Sequence, residues 1–143
     1  MKILVLTAEL SAKNGWGRYS LAMTGALAKK RIDAMVVIER NGRNESKSDA
    51  LRMLSGGSLA ALWHALRLRR HAKDCDLIHA FAEPYAYVAY WLSKLTGKKY
   101  FVTAHGSYGV MPYRLSFFTK YIHRKSFASA EKIFCVSVSA AAD

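Results

Sequence analysis

Acidic residues are scarce in this sequence. Ten Asp and Glu stand against 22 Lys and Arg, leaving a net charge of +12 on 143 residues. Such a field favours anionic partners, namely nucleotide phosphates, nucleic acid or an anionic membrane surface, and it carries no information about fold. A plain solubilising surface accounts for part of it. Cysteine is also scarce: Cys75 and Cys135 form no C-x-x-C pair. No metal site is therefore expected, and reduced thiols in a cytoplasmic protein are the default. There is no run of about 18 uncharged apolar residues to cross a membrane. A single Lys2 precedes the first apolar run, and Glu9 follows it without an A-x-A-type cleavage site, so that run reads as a core strand rather than a signal peptide.

What is present fits one domain with ample core material, 52 % of the residues being apolar. Strand candidates cover 2–9, 33–39, 76–81, 99–106 and 132–139. They are rich in Val, Ile and Phe and lack strict polar alternation, as strands buried on both faces should. Helical patterns cover 17–31, 59–73, 84–96 and 113–129, the third opening on Pro84 and stopping at Gly97. This alternation predicts an α/β fold, a Rossmann-like open parallel sheet flanked by helices. The polar insert 41–49, with Gly56 and Gly57 soon after, reads as a loop. No internal repeat or low-complexity tract appears. The terminal SAAAD looks like the opening of a further helix, so the domain is expected to continue elsewhere.

The stretch NGWGRYS, Asn14 to Ser20, follows the first strand. Ligands of open α/β sheets sit beyond the carboxyl ends of the strands, and the first strand-to-helix turn is the usual phosphate cradle. Gly15 and Gly17 would let backbone N–H groups approach an anion, the helix N-terminus would add its dipole, and Arg18 a charge-assisted contact. Equally, the glycines could only permit a tight turn before helix 17–31. A dinucleotide fingerprint would need a third glycine where Ser20 stands, although Glu39 imitates its ribose-binding acid. About six residues also separate strand from glycine, too many for that fingerprint. A P-loop would need G-K-[ST], which is absent.

Asn14 to Ser20, followed by LAMTGALAKKRIDAMVV, resembles the G-G-x-G-R-Y…G-H-x-V-x-V-V opening of family 4 (group 1) glycosyltransferases. Asp76-Leu77-Ile78-His79-Ala80 resembles the family's D-x-V-H-x-H strand end. Val102-Thr103-Ala104-His105-Gly106 resembles its T-x-H-G/D, and Ala130 to Ser137 its A-D-x-I-x-x-V-S. Three departures stand out. Asn14 replaces a glycine, Arg31-Ile32-Asp33 replaces the G-H-x turn, and Phe81 stands where a second histidine is common.

The resemblance implies the N-terminal, acceptor-side half of a GT-B enzyme, a metal-independent, retaining hexosyltransferase that uses a nucleotide-sugar donor and no cofactor. The donor-binding half, with its E-x7-E pair, is not in this chain, which alone should be inactive. By position, Gly15 matches the loop residue approaching the donor diphosphate or acceptor, with Trp16, Gly17 and Arg18 beside it as further substrate-binding candidates. His105 matches the strand-end histidine beside the transferred sugar and is the catalytic candidate. Gly106 permits close approach; Ser107 and Tyr108 would line the acceptor cleft. Glu83 could bind an acceptor hydroxyl or cap helix 84–96, with the cap favoured. His79 reads as a structural hydrogen bonder.

Within 113–127, Leu115, Phe118 and Ile122 form a core-facing stripe, while Arg114, Phe117, Tyr121, Arg124 and Lys125 form an aromatic-basic one suited to an anionic bilayer. Peripheral attachment to the inner face of the cell membrane, next to a lipid-linked or polysaccharide acceptor, is the matching expectation. Helix 59–73 is expected to pack Leu59, Leu62, Trp63 and Leu66 into the core and to solvate Arg67, Arg69, Arg70 and Lys73. The alternative function is a non-catalytic anchoring subunit of a split glycosyltransferase. Nucleic acid is not an expected partner, because the cations are spread over several helices and no recognition motif appears.

Overall fold

Side-chain alternation along the first strand organises the molecule. The computed structural model describes residues 1–46, 49–55, 58–106 and 116–137. In β1 (Lys2–Leu6), Ile3 and Val5 enter one hydrophobic cluster, while Leu4 and Leu6 enter another. A strand with apolar residues at both odd and even positions can be stable only between two layers. Leu4, Val5 and Leu6 are fully buried, each worth about 1.5–3 kcal/mol relative to exposure.

The sheet has the order β3-β2-β1-β4-β5-β6, with β2 (Asp33–Glu39), β3 (Ala50–Leu54), β4 (Leu77–Ala80), β5 (Tyr100–Ala104) and β6 (Lys132–Cys135), every neighbouring pair parallel. Leu4 is the shared register point, opposite Met35 on one side and Ile78 on the other. The chain winds outward from β1 in both directions. Right-handed crossovers then put α1 (Gly15–Lys29) on one face and α2 (Ser58–Lys73), α3 (Ala86–Thr96) and α4 (Phe117–Ala128) on the other. The reversal of winding between β1 and β4 opens a crevice at the carboxyl ends of those strands.

The expected parallel α/β sheet is present, with differences at its margins. β2 spans the predicted 33–39; the other strands are shorter than predicted. β3 replaces what reads as loop. It is a short edge strand without a β-branched residue, and its pairing with β2 is irregular at Ile38/Glu39. A 3₁₀ turn, Glu83–Tyr85, carries Pro84 and leads into α3, which ends on Gly97 in the left-handed region at φ 72°. Arg31 also adopts a left-handed φ of 55°, at the turn where the resembling family carries glycine.

The core helix α3 is sandwiched between the sheet and its neighbours, with Ala86, Tyr87, Val88, Ala89 and Leu92 buried. Against it α2 presents Ala61, Ala65, Leu68 and Ala72, not the four large residues expected there. Leu59, Leu62, Trp63 and Leu66 all point outward. Small side chains let two helix axes approach closely, so the alanine face wins the interior.

Candidate functional site

Asn14 starts α1 two residues earlier than the sequence suggests. Its Oδ1 accepts the Gly17 N–H at 2.7 Å, an N-cap that places both glycines inside the first helical turn. Asn14 Nδ2 donates to the Glu9 carboxylate, whose other oxygen accepts the Arg43 N–H at 3.3 Å. Glu45 holds the same strap through the Ala12 N–H and the Ser11 hydroxyl, at 2.9 and 3.2 Å. The Ala12 N–H, first among its partners, holds the Glu45 carboxyl below its ordinary pKa. Leu10 and Glu45 exchange backbone contacts with the same segment, so residues 42–46 brace the approach to α1 instead of standing free as a loop.

The two glycines have different surroundings. Gly15 is exposed, and a Cβ there would meet nothing within 4 Å. Gly17 is buried, and a Cβ would lie 2.6 Å from the Ser11 carbonyl oxygen and 3.2 Å from the Glu9 side chain. With its N–H given to Asn14, Gly17 serves close packing. The N–H groups available to an anion are those of Gly15 and Trp16 in the first turn, where helix donors have no intrahelical acceptor. Asn14, Gly15 and Trp16 line an open hollow of about 360 Å³. Arg18 lies outside it and donates to the Ala12 carbonyl at 3.2 Å.

His105 stands across from this turn, immediately after β5. Its ring lies 6.1 Å from that of Trp16 and edge-on to Tyr19 at 5.0 Å. Nε2 is 2.9 Å from the Phe81 carbonyl oxygen, which can only accept. That contact fixes the proton on Nε2 and leaves Nδ1 as a hydrogen-bond acceptor in the neutral ring. The His105 N–H donates to Glu83 Oε1 at 2.5 Å. Glu83 is only 2 % exposed, and its Oε2 has no hydrogen-bond partner among the described residues. Neither the 3₁₀ turn nor α3 has a side-chain cap. Glu83 thus holds the strand end bearing His105 in place of the cap favoured from sequence. Gly106 follows at φ 82°, a conformation that favours glycine as the chain turns out of the sheet. Ser107, Tyr108 and Arg114 lie outside the described residues.

Tyr19 was not singled out by sequence reasoning, although it belongs to the glycine stretch. Its hydroxyl shares Thr103 with His79, at 3.1 and 3.0 Å, tying α1 across β5 to β4. His79 packs edge-on against Phe81 at 4.7 Å, and burial pushes its pKa down to about 4. It is a neutral structural group, as its sequence position suggests. Glu39 accepts from Tyr85 Oη at 2.7 Å. The residue that imitates a ribose-binding acid therefore serves to fasten the 3₁₀ turn.

On α4, Ile122 is buried, while Phe118, expected beside it in the core, is half-exposed. Leu115 lies outside the described residues. Phe117 is 88 % exposed, and with Lys120, Tyr121, Arg124, Lys125 and Ala128 it lines an open groove of about 540 Å³. Among the described residues no helix is long and apolar enough to cross a membrane. Among them, too, no group of three or more His, Cys, Asp or Glu side chains is placed to hold a metal.

Residues 13–143 match the model of Glycosyltransferase Family 4. No curated protein matches the chain. Among solved structures, HepE of Anabaena, in complex with UDP and glucose, is similar over 98 % of this chain and 39 % of its own, at 17 % identity and a TM-score of 0.63. An α-glucosyltransferase in complex with UDP and a 13-mer DNA containing an A:G mismatch is similar over 96 % of this chain and 37 % of its own, at 14 % identity and the same TM-score. At these identities the likeness shows the fold, and the chain spans less than two-fifths of either structure.

Proposed function

The chain belongs to glycosyltransferase family 4, and from that premise we propose that it is the acceptor-side half of a retaining, metal-independent hexosyltransferase. Its product would be a glycolipid or polysaccharide, made from a nucleotide-sugar donor held jointly with a C-terminal half outside this chain. The observation that supports this reading best is the meeting of two strand ends. The open first turn at Gly15 and Trp16 faces the His105 ring, whose Nδ1 is left as an acceptor by the Nε2 contact with Phe81, across the crevice of the winding reversal.

Each part has a chemical use. Gly15 and Trp16 offer backbone N–H groups and a helix dipole to a donor phosphate or acceptor oxygen. The His105 Nδ1 would accept a hydrogen bond from a sugar hydroxyl at the transfer centre, the ring being oriented through the Phe81 carbonyl and the Glu83 contact with its backbone. Turnover in this reading needs the donor half together with this fold. The aromatic-basic groove of α4 would rest on the anionic inner face of the cell membrane, close to a lipid-linked acceptor. Nucleic acid is not among the partners of this reading.

The test is the rate of transfer by the complete two-domain protein carrying His105→Ala or His105→Gln. Loss of one hydrogen bond to the substrate, about 1.5 kcal/mol, should lower kcat/KM about tenfold. Glutamine can keep the donation to Phe81 through its amide nitrogen and offers Oε1 as a substitute acceptor, so it should lose less than alanine. A wild-type rate in both variants would remove His105 from the centre. The same assay with EDTA should leave the rate unchanged.

A further inference from the structure

The outward face of α2 has no task in the function described so far. Leu59 is 83 % exposed and Trp63 61 %, and Leu62 and Leu66 are also exposed. At about 100° per residue these four share one face, and Arg70 and Lys73 continue it toward the helix C-terminus with Arg67 and Arg69 on its flanks. Contiguous exposed apolar surface of this kind marks an interaction site. The four residues are therefore not the core stripe that periodicity suggests.

α4 repeats the pattern. Phe117 and Tyr121 occupy the N-terminal half of its exposed face, and Arg124 and Lys125 the C-terminal half. The Lys125 ammonium lies 5.7 Å over the Tyr121 ring. Both helices run antiparallel to the sheet, so both apolar halves lie at the carboxyl ends of the strands. The Ser58 and Thr119 hydroxyls, 2.8 Å apart, join the two N-termini there. Neither helix carries an Asp or Glu.

We propose that α2 and α4 form one bilayer-docking surface, with Leu59, Leu62, Trp63 and Phe117 in the outer acyl region and the cations of both helices at the level of anionic headgroups. The inference deepens the membrane part of the proposed function and rests on it. The order of groups decides the occupant. Apolar and aromatic side chains lie in the N-terminal half and cations gather toward the C-terminal half, with Lys120 of α4 the one cation among the aromatics. This order recurs on two joined helices and matches the passage from a bilayer's hydrocarbon to its headgroups. A second copy of the chain would bring the same +12 charge against these cations. Nucleic acid would satisfy the cations and stack on Trp63, but it has no use for a row of leucines. Docked this way, the N-terminal ends of α2 and α4 bring the carboxyl edge of the sheet, where Gly15, Trp16 and His105 lie, close to the membrane surface. The substrate class follows: an amphiphile whose sugar enters from the lipid interface.

The test is co-sedimentation of the chain with phosphatidylcholine vesicles, with and without phosphatidylglycerol. Wild type is compared with Leu59→Ser/Trp63→Ser and with Phe117→Ser/Tyr121→Ser, each checked by thermal melting. All four side chains are exposed, so the melts should stay near wild type. The α2 variant is expected to lose binding to the anionic vesicles by at least about tenfold, and the α4 variant likewise. Loss in the α4 variant alone would overturn the α2 inference and leave membrane attachment standing. No binding by wild type at low salt would overturn both. Vesicle binding that a DNA duplex abolishes, and that neither variant affects, would reassign the cations to a polyanion. A dimer dispersed by the α2 substitutions would reassign the leucines to self-association.

Discussion

Gly17→Ala is expected to destabilise the protein by about 2–3 kcal/mol, lowering its melting temperature by roughly 5–10 °C, whereas Gly15→Ala should leave it unchanged or slightly more stable. The two glycines are one residue apart and look interchangeable in NGWGRYS. A methyl on Gly17 would stand 2.6 Å from the Ser11 carbonyl oxygen, a backbone atom held by the strap that leads from β1. Relief would require α1 to move off that strap, at the expense of the Asn14 cap at 2.7 Å and the buried Thr7–Ser20 hydroxyl pair at 2.6 Å. At Gly15 the same methyl enters open space, and alanine is the better helix former. Thermal melts of the two variants decide the matter. A neutral Gly17→Ala would show that α1 does not start at Asn14, and the placement of the Gly15 and Trp16 donors would go with it.

Acid should weaken the fold through His79 more than through any other histidine. Buried beside Phe81, with its Nε2 on Thr103, His79 is held down to a pKa of about 4 against 6.5 when exposed. The unfolded chain therefore binds the proton more readily. Above pH 6.5 neither state is protonated there, and the effect is absent. Stability falls as pH drops from about 6.5 toward 4, by about 3 kcal/mol in all, and below that this histidine contributes no further change. Burial lowers the pKa of His64 and His123 as well, in the same direction. Urea unfolding at pH 7 and near pH 4.5 should show a large gap in stability for wild type and a much smaller one for His79→Gln, which can still reach Thr103. An equal gap in both proteins would mean that His79 is hydrated and titrates normally.

These two results depend on features of unequal visibility in the sequence. The run DAMVVIE is unambiguous because β-branched residues on both faces leave few choices beside a buried parallel strand, and Pro84 and Gly97 bracket a helix by backbone chemistry alone. β3, with ALRML, offers no such signal and owes its pairing to β2. α2 misleads for a different reason. Its N-terminal half is apolar around most of its circumference, and periodicity cannot say whether the leucine row or the alanine row faces inward. Close packing on α3 decides it. The site is likewise half legible. His105 and the glycine stretch stand out as motifs, but the Glu83 carboxylate under the His105 N–H and the Tyr19 ring against His105 join residues far apart in the chain. Only the sheet brings them together.

The central claim is that this fold receives the acceptor in a sugar transfer completed by a second half. Omission tests it most directly. Membranes would be incubated with radiolabelled nucleotide sugars and the complete two-domain protein, or with either half alone, and the label in the lipid and polysaccharide fractions counted. The account predicts label only when both halves are present, and none from either half alone. Transfer by the donor half without this chain, or none from any nucleotide sugar with both present, would contradict it.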